Sequence, residues 1–217
     1  MPALSWQNRA YESRSARHVV LPSMSDRKVI GLTGTIGSGK SMVRSILSAA
    51  IPVTDCDGIN SDLLQKDGRG YLELQKNGLL CVDEHSEIDR PAMADQIFDD
   101  PNKRKAFEAI LHPLIIDELQ NWISEQDGLC AAEVPLLFEC HLENMFDEIW
   151  TVTCSDQTAL ERLETQRHIS PEEAKRRLAL QMSVEQKAAK SDVLIHNDGS
   201  VEDLKQTIDA LLKKEVS

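Results

Sequence analysis

The chain has 217 residues, 41% of them hydrophobic, which suffices for one compact α/β domain with a small appended subdomain. Its net charge of −12 argues against a nucleic-acid partner, because a general duplex-binding surface needs clustered lysine and arginine side chains. No stretch approaches the roughly 20 apolar residues of a membrane span, and the scattered cysteines form no C-x-x-C pair, so we expect a reduced, cytoplasmic protein without a membrane partner.

Residues 1–24 differ from the rest of the chain. They contain three arginines but one glutamate, together with several serines, and they show no apolar periodicity. This composition predicts a disordered extension, and the domain proper is expected to span residues 25–217. Two alternatives stay open: the segment is a short transit peptide, or Met24 is the true start.

The first predicted unit is a strand, a glycine loop and a helix. Residues 29–33 form a short apolar run closed by Gly34, and residues 40–50 carry apolar side chains at helical spacing. A second strand is predicted at residues 51–54. It leads into Asp55-Cys56-Asp57, whose two acids we expect at the carboxyl end of that strand.

Further strands are predicted at residues 129–138, 149–154 and 193–195, and helical patterns lie between most of them. Strands that alternate with helices predict an α/β fold with a doubly wound parallel sheet.

Two helical regions are added to this sheet. Residues 60–126 are mainly helical and too long for a simple crossover, so we expect a substrate-binding subdomain there. Residues 160–190 predict two helices joined near His168, which we interpret as a lid over the substrates.

The loop after the first strand reads G-T-I-G-S-G-K-S, which matches the phosphate-binding pattern G-x-x-x-x-G-K-[S/T]. Glycines let successive backbone N–H groups turn toward phosphate oxygens, and the following helix adds the partial positive charge of its N-terminus. Lys40 would reach the β and γ phosphates, and the Ser41 hydroxyl would ligate magnesium. The alternative is a glycine-rich turn with a solvent lysine. The expected nucleotide-binding residues of the loop are Gly34, Thr35, Ile36, Gly37, Ser38, Gly39, Lys40 and Ser41.

A phosphate loop alone does not separate kinases from GTPases or motor ATPases. The chain lacks the guanine-recognition motif N-K-x-D, and it has neither the basic surface nor the length of a typical helicase. Transfer of phosphate to a small molecule is the interpretation that remains. Asp55 and Asp57 then become candidate acids that face an incoming hydroxyl and the metal, and the alternative is an ordinary turn, where Asp is common.

Several separated segments form a recognisable set: I-G-L-T-G-T-I-G-S-G-K-S at 30–41, D-C-D at 55–57, I-D-R at 88–90, H-P at 112–113, V-P-L-L-F-E at 134–139, R-x-x-x-Q at 177–181, and S-D with a later Asn at 191–197. Together they resemble one family, the dephospho-coenzyme A kinases, which are P-loop proteins of the nucleotide-kinase-like fold. The resemblance covers residues 29–212, and its P-L-L-F-E block is far more specific than the phosphate loop. Thr35 departs from the family pattern, in which a second glycine is common, and Cys56 replaces an alanine.

The resemblance implies transfer of the ATP γ-phosphoryl group to the ribose 3′-hydroxyl of dephospho-coenzyme A, with Mg²⁺ as the metal. Asp57 is then the candidate base, and Lys40 and Arg167 are candidate catalytic cations. Arg177 would be a second lid cation that binds the nucleotide, and Asn197 would contact adenine. Each arginine has an alternative as a solvated helix charge, and Asn197 precedes an Asp-Gly turn signal.

Three further residues each have two possible roles, and the chain has two alternative functions. Glu133 would position metal-bound water or flank a core strand, His112 would contact the acceptor or pack, and Glu139 would bond the acceptor's sugar or cap a helix. We expect a monomer or a weak homo-oligomer. The alternative functions are a nucleoside or nucleotide kinase of the same fold and a nucleotide-binding regulatory module without turnover.

Overall fold

A five-stranded parallel sheet forms the centre of the computed structural model. The structure describes residues 27–167, 170, 172, 173, 176, 178 and 181–215, without the side chains of residues 97–99, 166 and 167. The predicted extension and the predicted helix junction near His168 lie outside these residues. The strands lie in the order β2-β3-β1-β4-β5, which confirms the predicted doubly wound parallel sheet. Their bounds are β1 Lys28–Gly34, β2 Val53–Asp55, β3 Leu129–Glu133, β4 Glu148–Thr153 and β5 Val193–His196.

Helices follow or connect the strands. No helix in the described part of the chain is both long and apolar enough to cross a membrane. The helices are α1 Lys40–Leu47, α2 Cys56–Leu63, α3 Arg69–Lys76, α4 Arg90–Asp99, α5 Pro101–Ser124, α6 Asp156–Arg167, α7 Val184–Ala188 and α8 Val201–Glu215, with a 3₁₀ turn at Glu143–Met145.

Side chains alternate between the two faces along β1, so this strand contributes to two separate hydrophobic cores. Ile30 and Leu32 are fully buried and pack with apolar side chains of α1 and α8 on one face of the sheet. Val29 points to the other face and packs with apolar side chains of α5. Helices therefore cover both faces, and β1 becomes a rigid central support for the loop that follows it.

β1 is also the point at which the strand order changes direction. It pairs with β3 on one side and with β4 on the other, so the connections after β1 and β3 run toward opposite edges of the sheet. In open parallel sheets, this reversal opens a crevice at the carboxyl ends of the strands. The glycine loop lies at the mouth of that crevice.

Residues 60–126 are mainly helical, as their pattern indicates. The helices of this insertion enclose a third small core that includes Leu74, Met93 and Leu111. Such a core lets the insertion keep its own shape beside the sheet. The assignment of this region to acceptor binding stays a prediction.

Two predicted boundaries are wrong. The third strand ends at Glu133 rather than at residue 138, because Pro135 has no N–H to continue the ladder and the chain turns there. The first helix ends at Leu47, and residues 48–50 form turns before β2. Apolar residues continue past both ends, so a prediction from hydrophobicity alone makes both elements too long.

Candidate active site

The loop between β1 and α1 has a left-handed backbone at two central positions, which favours glycine there. Gly37 and Gly39 have φ angles of 80° and 93°, and a β-carbon on Gly39 would collide with the amide nitrogen of Asn197. Gly39 is the N-cap of α1, and no side chain caps this helix end. The N-terminal N–H groups of α1 and its positive dipole end are therefore available to an anion in the crevice.

Lys40 folds back over this loop. Its Nζ donates hydrogen bonds to the carbonyl oxygens of Gly34 at 3.0 Å and Thr35 at 2.9 Å. The ammonium group is thus held at the concave side of the loop, where phosphate oxygens would lie. The predicted phosphate loop has the strand, turn and helix that its chemistry requires.

A cleft of about 390 Å³ brings the phosphate loop together with the predicted acids. It is lined by the glycine loop and by residues of α1, β2, α2 and β3, together with Pro135 and residues of the predicted lid region. The lining residues are Ile36, Gly37, Gly39, Lys40, Ser41, Arg44, Asp55, Asp57, Glu133, Pro135, Arg162, Leu163 and Gln181.

The two acids of the D-C-D motif have different surroundings. Asp55 is the N-cap of α2, where its Oδ1 accepts a 2.6 Å hydrogen bond from the backbone N–H of Gly58, and its Oδ2 pairs with Arg44. Asp57 lies in the first turn of α2 and is exposed to the cleft, and no hydrogen bond or ion pair joins its carboxylate to another described residue. Asp55 therefore has a structural task, whereas Asp57 is available to a substrate hydroxyl.

Glu133 ends β3 directly beside Asp55 in the sheet register. Its side chain is buried, and its Oε2 lies 3.3 Å from Nε of Arg44. Burial raises the pKa of the Glu133 carboxyl above its ordinary value, although the positive charges of Lys40 and Arg44 oppose that rise. The cleft thus holds a cluster of acids balanced by cations.

This pKa shift predicts how stability depends on pH. The folded chain releases the Glu133 proton at a higher pH than the unfolded chain, so stability falls as the pH rises from the ordinary value of 4.5 through the raised pKa. We expect the wild type to lose unfolding free energy relative to Glu133→Gln across that window and the difference to level off above it. Urea unfolding of both nucleotide-free proteins from about pH 4 to about pH 8 measures it. A difference that is independent of pH, or one that moves in favour of the wild type, would contradict this assignment.

Cys56 lies between the two acids, in surroundings that disfavour the thiolate form. Burial raises the pKa of the Cys56 thiol to about 12, and the nearby carboxylates of Asp57 and Asp55 add to the rise. At about pH 8 only about 10⁻⁴ of the thiol is thiolate. We expect iodoacetamide to leave Cys56 unlabelled in the folded protein, as measured by mass spectrometry, and to label it in denaturant. Rapid labelling of the folded protein would contradict this.

Three polar residues support the loop from outside it, and none was predicted to do so. The amide nitrogen of Asn197 donates to the carbonyl of Ser38 at 2.8 Å, and Arg162 donates to the carbonyl of Asn197 at 2.9 Å. Gln181 accepts a 2.9 Å hydrogen bond from the N–H of Ile36. The buried Asn197 amide therefore holds the loop, and a contact of Asn197 with adenine stays a prediction.

The remaining predicted residues fall into two groups. Glu139 accepts hydrogen bonds from the fully buried Lys187 at 3.0 Å and from the N–H of Met182 at 3.1 Å, so it ties the turn after β3 to the start of α7. His112 is half-buried within α5 and does not line the cleft. The side chain of Arg167 and the whole of Arg177 lie outside the described residues.

These features define a class of protein. The chain has a parallel sheet in this strand order, a phosphate loop at the end of the central strand, and acids at neighbouring strand ends. These features together define it as a P-loop kinase. Comparison with known proteins defines the family: the dephospho-CoA kinase model matches residues 28–203. The chain therefore belongs to the dephospho-CoA kinase family.

Individual relatives agree with this assignment. The chain is 37% identical over 194 residues to a protein named dephospho-CoA kinase from Staphylococcus aureus, covering 87% of this chain and 93% of the relative. A protein of the same name from Bacillus cereus is 35% identical over 192 residues, covering 86% and 96%. The crystal structure of TT1252 from Thermus thermophilus superimposes with a TM-score of 0.73 at 32% identity, covering 87% of this chain and 98% of that one.

Proposed function

We propose that this chain transfers the γ-phosphoryl group of ATP to the ribose 3′-hydroxyl of dephospho-coenzyme A, which gives coenzyme A and ADP. The observation that carries the proposal is the cleft itself, in which the Asp57 carboxylate and the Lys40 phosphate loop share one cavity. Family membership supplies the identity of the acceptor. The free thiols of all the cysteines are consistent with a reduced, cytoplasmic compartment.

The chain's own residues divide the work in this proposal. The loop N–H groups and Lys40 bind the phosphates of ATP, and the ammonium group stabilises negative charge on the oxygens of the transferred phosphoryl group. Asp57 orients the acceptor hydroxyl and takes its proton as the new phosphorus–oxygen bond forms. Because the transition state is loose, proton transfer occurs late and electrostatic stabilisation dominates.

The oxygen donors at the cleft fit a magnesium ion that arrives with the nucleotide. Ser41, Asp55 and Glu133 line the cleft with the hydroxyl and carboxylate oxygens that Mg²⁺ prefers. No three His, Cys, Asp or Glu side chains among the described residues are arranged to hold a metal by themselves. The Ser41 hydroxyl would hold magnesium, which when bound would neutralise negative charge on the phosphates of ATP.

Two further parts of the proposal concern substrate enclosure. The helical insertion at residues 60–126 would bind the acceptor, and residues 160–190 would form a lid that brings Arg167 and Arg177 to the phosphates. Arg162 already lines the cleft at the start of that region, which supports the delivery of positive charge from this side. Closure would exclude water and so prevent hydrolysis of ATP.

A comparison of acceptors tests the proposal. ADP formation is measured with saturating Mg·ATP and either dephospho-coenzyme A or a panel of nucleosides and nucleoside monophosphates. We expect kcat/KM for dephospho-coenzyme A to exceed every other value by at least about 10²-fold, because a site that hydrogen-bonds one acceptor rejects molecules that leave its polar groups unpaired. A preference for a nucleoside monophosphate would replace the proposed acceptor, and ATP binding without turnover would indicate a regulatory module.

A further inference from the structure

Arg44 joins two carboxylates at the edge of the cleft, and neither the phosphate loop nor the proposed proton transfer includes it. It lies on α1 one helical turn beyond Lys40, so its side chain enters the same cleft. Its Nη1 pairs with Oδ2 of Asp55, and its Nε lies 3.3 Å from Oε2 of Glu133. One guanidinium group thus contacts the ends of two neighbouring strands.

The two acids need a cation between them. Asp55 and Glu133 are register partners at the carboxyl ends of adjacent parallel strands, which places their side chains side by side. Glu133 is only 7% exposed, so water does little to screen the repulsion between the two charges. A guanidinium fork can bond two carboxylates at once, a geometry that a lysine ammonium matches poorly.

The same pair of acids would also attract a divalent cation. Carboxylates on adjacent strand ends, with the Ser41 hydroxyl in the same cleft, resemble the donors that bind Mg²⁺ or Mn²⁺. A cation bound there before the nucleotide would hold charge where the nucleotide's own magnesium must enter. In the structure, that position between the acids is spanned by Arg44.

We propose that Arg44 is a built-in counter-cation, which holds Asp55 and Glu133 in place in the nucleotide-free chain and keeps a free divalent cation from binding between them. Arg44 is therefore a positioning residue that makes metal entry depend on the nucleotide. The inference rests on the proposed function only in taking magnesium as the ion that accompanies ATP.

Manganese binding to the nucleotide-free protein tests this inference without any acceptor. Mn²⁺ alone is titrated into wild type and Arg44→Met, and free Mn²⁺ is followed by electron paramagnetic resonance. We expect the dissociation constant for Mn²⁺ to fall at least about fivefold in Arg44→Met, because the two carboxylates then lose the guanidinium group that pairs with both of them. We also expect Mn²⁺ to raise the Tm of Arg44→Met by more than it raises that of the wild type.

Two controls separate the pairing from a general effect of charge. Arg162→Met removes the same charge from the same cleft, but Arg162 contacts the carbonyl oxygens of Ser38 and Asn197 rather than the acids. Its Mn²⁺ affinity should stay within about twofold of the wild type. The double variant Arg44→Met with Glu133→Gln should return toward the wild-type affinity, because one of the paired charges is gone.

The Mn²⁺ affinities of these variants decide whether Arg44 has the proposed role. A rise in Mn²⁺ affinity smaller than about fivefold in Arg44→Met, or an equal rise in Arg162→Met, would overturn it. If Arg44→Met does not fold, Arg44→Gln takes its place with the same expected result, since its amide can still donate to Glu133 but carries no charge. None of these measurements involves dephospho-coenzyme A, so a wrong acceptor and a wrong role for Arg44 would be recognised separately.

Discussion

Lys40→Ala is expected to lower turnover by about 10³-fold or more while the protein stays folded. The Lys40 ammonium is held over the loop by hydrogen bonds to the carbonyl oxygens of Gly34 and Thr35. Alanine removes this charge from a site where transition-state charge accumulates on those oxygens. The cost therefore falls on kcat as well as on the binding of ATP.

Steady-state kinetics with Mg·ATP and dephospho-coenzyme A measure this loss, and thermal unfolding reports on the fold. Lys205→Ala is the matched control, because Lys205 is an exposed lysine on α8 that does not line the cleft. It should retain the wild-type kcat within about twofold. Comparable turnover in Lys40→Ala and Lys205→Ala would show that the loop does not bind the transferred phosphate.

Asp57→Asn is expected to cut kcat by about 10²-fold or more and to leave ATP binding nearly unchanged. The amide keeps the size of the side chain but cannot accept the proton of the acceptor hydroxyl. Asp57 suits this test because it neither caps α2 nor pairs with Arg44, as Asp55 does. A substitution at Asp55 would disturb the helix start and the ion pair together, and its effect could not be assigned to chemistry.

Isothermal titration with a non-hydrolysable ATP analogue separates binding from turnover in Asp57→Asn. Asp209→Asn, at an exposed position on α8, makes the same chemical change away from the cleft and should behave as the wild type. Full activity in Asp57→Asn would remove Asp57 from the role of base. A large loss of ATP affinity would instead place Asp57 in nucleotide binding.

The phosphate loop could be predicted from sequence because its requirements are local. The spacing of Gly37, Gly39 and Lys40 encodes backbone conformation and charge within one turn of chain, and an apolar strand and a helical pattern flank it. The order of strands and helices likewise follows from hydrophobic periodicity. These parts of the fold are confirmed.

The contacts that complete the cleft depend on residues that are distant in sequence. Arg44 and Arg162 look like ordinary charges on helix surfaces, and only the packing of the helices against the sheet brings them to the cleft. Lys187 would be expected in solvent, yet it is fully buried because Glu139, 48 positions earlier, turns toward it. Asn197 follows a strand as predicted, but its partner is the carbonyl of Ser38. Hydrophobic periodicity along the sequence contains no information on such pairs of distant residues.

The third strand shows why apolar runs overestimate element length. Residues 134–138 are as apolar as a strand, and Val134, Leu137 and Phe138 are indeed buried. They form a turn that packs in the hydrophobic core on one face of the sheet. The strand cannot continue through them, because Pro135 ends the ladder of backbone hydrogen bonds. Burial and strand geometry are separate properties, and hydrophobicity reports only the first.

Identification of the phosphorylated product is the decisive test of the proposed phosphoryl transfer. The protein is incubated with Mg·ATP and dephospho-coenzyme A, and the product is analysed by mass spectrometry and by phosphorus NMR with coupling to the ribose protons. We expect a product heavier by one phosphoryl group, esterified at the ribose 3′-oxygen, with one ADP formed for each molecule of product. Phosphorylation at another oxygen, or ADP formed together with inorganic phosphate and no new ester, would contradict it.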